Sequence, residues 1–412
     1  MIGAGLAGLS AAVALAAEGV RVELIEAAMQ AGGRCRSYHD PILDMTIDNG
    51  NHFILSGNEA AFGYLRTIGA ADRLVGPADA VLDFHDRRDG ERWRIRPNGG
   101  RAPWWLFSES RRVPGTRAAD YLPMLGLLGA SRELRIEQVI ACKGVLWDRL
   151  LGPFLLGALN TKPEIASAVL AGAVIRRSFA RGGSAYRIRI ARPDLSAAFI
   201  DPAVSFLKER GASLRFGERL RSLELCKGLV TALRVGDRAE ALEGADAVIL
   251  AVPPWIAAEL VPTLTVPDRF SPIVNGHFRV APPTGAAPMV GVIGGAAQWV
   301  FAFEDRLSVT VSGAEDLVDA DRESLAQRFW RDVAAVHGLA PTLPPWQIVK
   351  ERRATFAATP EQNDRRPAAR TSWRNLFLAG DWTDTGLPAT IEGAIGSGAK
   401  AADLVQKSHI GA

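Results

Sequence analysis

Gly3-Ala4-Gly5-Leu6-Ala7-Gly8 sets three glycines at the spacing of a phosphate-binding turn, and Glu26 follows at roughly the 20-residue interval where an acid meets a ribose. Gly3 would permit the tight reversal, Gly5 would let the backbone approach a pyrophosphate, and Gly8 would let a helix pack closely on a sheet. A helix starting near Leu6 and Ala7 offers free N–H groups and a positive dipole end to phosphates. Residues 20–25 read as the second strand, which puts Glu26 at its carboxyl end. There a carboxylate accepts both ribose hydroxyls and repels a 2′-phosphate.

Gly32-Gly33-Arg34-Cys35-Arg36-Ser37 follows. Two glycines and two arginines just after the ribose-binding strand bring exposed N–H groups and fixed positive charge to a second phosphate-bearing stretch. That pattern favours FAD over a loosely held nicotinamide cofactor; the plainer reading is a solvated basic loop. Near the other end, residues 375–381 look like a buried strand ending in Gly380-Asp381, then comes a turn-rich loop to Thr390, then a helical pattern from Ile391 to Val405. The start of this helix, with Thr390, Ile391 and Ala394, would aim its dipole at the flavin O2 and N1, and Asp381 would bind the ribityl chain. Alternatively this segment only closes a domain, with Asp381 as a helix cap.

Together these pieces resemble the flavoproteins with two dinucleotide-binding motifs that include amine oxidases, phytoene desaturases and protoporphyrinogen oxidase. Residues 47–57, Leu146-Trp147 with 156–161, and 387–394 are similar to the hydroxysqualene dehydroxylase branch. The resemblance covers almost the whole chain and is most specific in the dinucleotide motifs. It implies reductive removal of a hydroxyl from hydroxysqualene to give squalene, with reduced FAD as hydride source. The alcohol is allylic, so protonation and loss of water leave a delocalised cation; such a site needs a dry apolar cavity and a proton source. The resemblance also implies flavin contacts at Asn49 and Gly50 and a backbone contact of Leu220 with adenine. His52, Asp48, Glu392 and Asp384 are the candidate proton sources, since relatives bring their segments near the flavin. His52 has the most suitable ordinary pKa, while Asp48 and Glu392 equally suit turn or helix caps.

Two other classes stay open at this stage. One is an oxidising flavoenzyme on the same scaffold, a carotenoid-type desaturase or an amine oxidase; the chain's four tyrosines count against the aromatic cage an amine would call for. The other is a non-catalytic prenyl-binding protein without flavin, against which Glu26, Arg34 and Asp381 argue.

The 412 residues suffice for two domains. A formal net charge of +3 is too small to argue for nucleic acid. Cys35, Cys142 and Cys226 are scattered, without metal or redox spacing, so no metal is expected and a reducing cytoplasm is. Met1 opens directly onto the cofactor turn rather than a leader, and no run reaches the roughly 18 to 20 apolar residues that cross a bilayer. The electron donor is not indicated.

The elements that must hold these residues imply an α/β chain, α+β overall: a discontinuous Rossmann-like FAD-binding domain (1–50, 193–254 and 371–412) interleaved with a substrate domain of mixed sheet and helices (51–192 and 255–370). In the first, 201–210 reads as a helix, with strands at 213–216, 219–225, 230–235 and 247–252. Only Met1 and Ile2 precede Gly3, where a dinucleotide fold has a strand of about five or six residues. The expectation is a start assigned too far downstream, and weak FAD binding by the chain as it stands. Residues 92–96 and 186–190 alternate with period two and read as strands with one basic face. Trp104 and Trp105, flanked by Arg101, Arg111, Arg112 and Arg117, fit peripheral contact with the inner face of the cytoplasmic membrane, which a lipophilic isoprenoid substrate would require; a hydrophobic core beside a basic loop is the competing reading.

Overall fold

A computed structural model describes residues 1–410. Its cofactor-side layer is built around Ile2, which bridges in parallel to Ile25 on one side and Leu250 on the other. The Ile2 N–H donates to Ile249 O at 2.9 Å and the Gly3 N–H to Ile25 O at 2.8 Å. Thus β1 (Glu23–Glu26), paired in parallel with β9 (Ser213–Phe216), joins β13 (Val248–Leu250), paired in parallel with β19 (Leu376–Leu378). Strands β13 and β19 are buried along their whole length, as apolar runs in a covered parallel sheet should be. Helices α1 (Leu6–Ala17), α5 (Asp201–Glu209) and α9 (Ile391–Ile410) pack with this layer, α1 lying against both others. A hairpin of β2 (Ser37–Asp40) and β3 (Met45–Asp48) leads away from it, and an antiparallel sheet of β10 (Leu220–Cys226), β11 (Leu229–Val235) and β12 (Arg238–Ala241) flanks it beside α6 (Pro254–Leu260).

The second layer system is a seven-stranded sheet in the order β18 (Trp346–Phe356), β14 (Phe270–Phe278), β17 (Leu307–Ser312), β16 (Trp299–Ala302), β15 (Met289–Ile293), β6 (Leu82–Asp86), β7 (Arg92–Ile95). Only the β15–β6 pairing is parallel. One face is apolar: Val274, Phe278, Val290 and Val309 pack under Phe329, Trp330 and Val333 of α7 (Arg322–His337). Strand alternation turns the neighbouring residues Asn275, His277, Ser308 and Thr310 to the opposite, buried face. That face meets the cofactor layer at Asn51, whose Nδ2 donates to Val309 O at 3.2 Å and to Thr310 Oγ1 at 3.1 Å. A small sheet of β4 (Phe53–Leu55), β8 (Ile188–Ala191) and β5 (Leu74–Val75) and the helices α2 (Glu59–Thr67), α3 (Gly152–Leu159), α4 (Ala168–Arg177) and α8 (Pro360–Asp364) complete the chain.

The α/β class expected from the sequence is the one observed. β9 takes its expected bounds, and β7 buries Trp93 and Ile95 while exposing Arg92 and Arg94. The strand expected at 186–190 begins later, at Ile188, because a 3-10 turn at Gly183–Ala185 precedes it. The expected membrane contact through Trp105 is overturned: Trp105 is buried, edge-on to Tyr121 with ring centroids 5.6 Å apart, so it belongs to the core. Trp104 next to it is exposed. Among the described residues, no helix is long and apolar enough to cross a membrane and no cluster of three metal-ligating side chains exists.

Candidate active site

Two glycines of the opening turn are required by sterics, and the third borders open space. Gly3 has φ +99°, and a Cβ there would lie 2.5 Å from Ala251 O. A Cβ at Gly8 would lie 1.9 Å from Gly3 O. At Gly5 a Cβ would meet no atom within 4 Å, so open space lies there. Helix α1 has Gly5 as N-cap and no capping side chain; its first internal bond is Leu9 N–H to Gly5 O, 2.9 Å. The buried N–H groups of Leu6, Ala7 and Gly8 therefore precede the helical ladder and face the Gly5 opening, an arrangement suited to a phosphate. Glu26 borders the turn, accepting from Ala4 N–H at 2.7 Å and Ala28 N–H at 2.8 Å, and each oxygen keeps acceptor capacity for a hydroxyl. The Glu218 N–H donates to Glu26 O at 3.0 Å, which brings the start of β10, Leu220, to this same end.

The arginine loop lies directly on the turn. Gly32 N–H donates to Ala4 O at 2.8 Å, and a Cβ at Gly33 would come 3.2 Å from Gly5 Cα. Arg34 Nη2 lies 2.7 Å from both carboxylate oxygens of the buried Asp381, and its Nη1 bonds Ala354 O. Arg36 folds back onto Gly33 O at 2.6 Å. The opening loop and the closing strand are thus fastened to each other by an ion pair. Behind Asp381 lies a residue that sequence reasoning missed. Arg366 is buried and donates to Asp381 O (3.1 Å), Thr383 O (2.5 Å) and Thr385 Oγ1 (2.8 Å), with its guanidinium 4.7 Å over the Phe356 ring. Burial lowers its pKa to about 10, so it remains charged at neutral pH. Nothing in Arg365-Arg366-Pro367 distinguishes it from a surface arginine.

Helix α9 is brought alongside α1 by another glycine: a Cβ at Gly398 would lie 2.1 Å from Ala7 O. Ser10 Oγ donates to Ile395 O at 2.8 Å, so the two helices adjoin about one turn in from their starts. Thr390 Oγ1 caps α9 by accepting from Gly393 N–H at 3.0 Å. Glu392 points elsewhere. Its carboxylate accepts from Ala60 N–H at 3.1 Å and Ala61 N–H at 2.9 Å, capping α2 across the fold, and pairs with Arg177 at 3.2 Å. Since α2 has no capping side chain of its own, Glu392→Ala is expected to cost about 2 kcal/mol, the consequence of stranding buried donors. Thermal or urea unfolding checks this, with Glu392→Gln losing less because one acceptor remains.

Asp48 is also engaged on all sides. It accepts from Ser37 Oγ (2.7 Å), Leu195 N–H (3.0 Å) and Arg306 Nη2 (3.2 Å). Burial raises its pKa, against the pull of Leu195 N–H and Arg306. Asn49 ties the loop together through Arg36 O (2.9 Å), and Gly50 leaves room for the Asn275 side chain, 3.1 Å from where its Cβ would be. His52 Nδ1 lies 2.8 Å from Gly50 O. A carbonyl only accepts, so this nitrogen carries the proton and Nε2 presents a lone pair. Burial lowers the His52 pKa below its usual 6.5. Asp384 is exposed and faces Arg132 at 3.4 Å.

The family model for flavin-containing amine oxidoreductases matches residues 6–406. The chain is 53% identical to hydroxysqualene dehydroxylase of Rhodopseudomonas palustris and 50% to that of Sinorhizobium fredii, covering 98% of this chain and 97% of each relative. It is 23% identical to 15-cis-phytoene desaturase of an Oncidium hybrid, over 99% of this chain and 77% of that one. Among solved structures, cyclohexylamine oxidase from Brevibacterium oxydans superposes with TM-score 0.70 at 14% identity, covering 98% of both chains. Putrescine oxidase bound to putrescine does so with TM-score 0.67 at 17% identity, over 98% of this chain and 97% of that one. At such identities the two oxidases speak for the fold alone, whereas the full-length match to the dehydroxylases speaks for descent. The chain belongs to the flavin-containing amine oxidoreductases, and among them to the hydroxysqualene dehydroxylases.

Proposed function

We propose that this protein binds FAD and uses its reduced form to convert hydroxysqualene to squalene and water. The observation that carries the cofactor reading is the open space at Gly5, faced by three free N–H groups of α1 and bordered by Glu26. The substrate reading rests on the near full-length identity to proteins of that name. In this reading Glu26 holds the adenosine ribose and backbone at Leu220 meets the adenine. The N–H groups of Leu6, Ala7 and Gly8, with Gly3, Gly33, Arg34 and Arg36, surround the pyrophosphate. Asp381, oriented by Arg34, accepts from the ribityl chain. Asn49, Gly50 and the first turn of α9 at Thr390, Ile391 and Ala394 border the ring.

Bound reduced flavin supplies a hydride to carbon. The remaining work falls to the chain: the C–O bond breaks as the hydroxyl oxygen takes a proton and leaves as water, and the electron pair of the new C–H bond would come from the bound reduced cofactor. Of the four candidate proton sources, we assign the role to His52. Asp48 and Glu392 have their oxygens committed to structural partners, and Asp384 lies on the exposed surface. With Nδ1 fixed on Gly50 O, the ring can carry and release a proton only at Nε2. A substrate of this kind is dissolved in lipid, which makes peripheral contact with the cytoplasmic membrane part of the reading.

The test is a single turnover. Protein reduced by dithionite without oxygen and mixed with hydroxysqualene should yield one squalene per flavin oxidised. Unchanged hydroxysqualene beside a fully reduced, bound flavin would reject the assignment.

A further inference from the structure

We infer that the protein docks on anionic lipid bilayers through an apolar tip made by Trp104, Phe107, Leu122 and Leu125. This deepens the proposed function and rests on it only for the nature of the substrate. The four side chains are 70%, 73%, 62% and 60% exposed. Nine large apolar side chains are exposed among the described residues, and six of them lie between 104 and 165. The exposure is therefore concentrated rather than scattered, and scattered exposure is the kind that needs no explanation.

The four residues form one surface. The Trp104 and Phe107 rings have centroids 6.2 Å apart. Leu122 and Leu125 are three apart in a 3-10 helix, Ala118–Gly129, where such residues eclipse one another. The two segments share an inner face: Trp105 packs edge-on to Tyr121, and Tyr121 OH accepts from Val113 N–H at 3.1 Å. Their outer faces consequently emerge side by side.

The charge around the tip selects the partner. Residues 101–145 carry seven arginines and lysines against four acids, an excess of three that equals the net charge of the entire chain. Arg101, Arg111 and Arg117 form no ion pair among the described residues. An exposed indole and leucines ringed by uncompensated guanidinium groups suit an interface of acyl chains below anionic headgroups.

A cleft of about 360 Å³ beside Arg101 is polar, lined by Ser56, Glu59, Gly100, Arg101, Arg181 and Ser184. Arg101 is three residues from Trp104. On the inner side, β4 runs from Phe53, next to His52, to Leu55, so Ser56 lies at its far end. At strand rise this is roughly 13 Å from His52.

Flotation of the flavin-loaded full chain with phosphatidylcholine vesicles, with and without phosphatidylglycerol, tests this without reference to turnover. Wild type should float with anionic vesicles, about tenfold less with neutral ones. A Trp104→Ser/Phe107→Ser/Leu122→Ser/Leu125→Ser variant should bind anionic vesicles at least about tenfold more weakly. Arg111→Glu/Arg117→Glu, which leaves every apolar contact in place, should lose the preference for anionic lipid. Equal flotation of wild type and the fourfold variant would overturn the proposal. So would a solution dimer that the fourfold variant dissolves while vesicle binding is absent, which would give the tip to a second copy of the chain. Both variants should keep wild-type turnover on hydroxysqualene in detergent micelles. If wild type floats but turns over nothing in micelles, the assigned reaction fails and the docking stands.

Discussion

Valine at position 5 is expected to abolish flavin retention while leaving the apoprotein as stable as wild type. Gly5 has φ −72° and ψ 174°, extended backbone open to any residue, and a Cβ there touches nothing within 4 Å. The added Cβ therefore brings no clash with the protein itself. It fills the space that a pyrophosphate must enter to reach the N–H groups of α1. A loss of at least about 100-fold in affinity is expected, equivalent to roughly 2.7 kcal/mol. Gly8→Ala makes the opposite case: its Cβ would sit 1.9 Å from Gly3 O, so the apoprotein itself should lose about 2 kcal/mol or more. Two measurements separate them, the flavin absorbance retained after gel filtration and the melting temperature with and without added FAD. Wild type should gain about 2.7 kcal/mol at a FAD concentration 100 times its Kd, and the Gly5 variant should gain nothing. A valine variant that holds FAD as tightly as wild type would place the cofactor somewhere other than this turn.

The contrast between these two glycines also marks what the sequence made legible. Turn chemistry is local: the tight turn expected at Gly3 and the close helix packing expected at Gly8 follow from spacing, and both have a matching steric reason in the structure, while Gly5 borders open space. β13 and β19 were readable because buried parallel strands are short apolar runs bounded by turns. Long-range pairing is a different matter. Glu392 read as a proton source or as a turn or helix cap, and which helix it caps was not legible: its carboxylate caps α2, 332 residues away. Arg34 and Asp381 were both singled out, but for separate tasks; that they hold each other across 347 residues depends on the crossing of layers, which no local pattern encodes. Trp105 and Trp104 are adjacent and chemically identical, and only the position of Tyr121 decides which is core. Arg366 was invisible for the same reason, since two backbone oxygens and a hydroxyl that it bonds belong to a loop that begins 15 residues later.

His52→Gln should lower the turnover number by about 100-fold, the usual worth of a positioned proton donor, with FAD affinity unchanged. Glutamine can still donate to Gly50 O, so the strand start keeps its anchor while the titratable group is lost. The pH profile discriminates further. Burial is the largest influence on the His52 pKa and lowers it; Arg34 pushes the same way, while the Gly50 carbonyl and Asp48 oppose. A donor must be protonated to act, so wild-type turnover should rise as pH falls below about 6.5, the ordinary histidine value. Stability should move in the other direction: the unfolded ring takes up its proton near 6.5, the folded ring only at lower pH, so this group removes stability progressively as pH falls through that window. An enzyme that becomes faster as it becomes less stable below pH 6.5, and a glutamine variant in which both trends are flattened, is the expected pair of results. If the glutamine variant keeps the wild-type slope of rate against pH, the proton comes from water admitted to the site, and His52 is there only to fix the turn at Gly50.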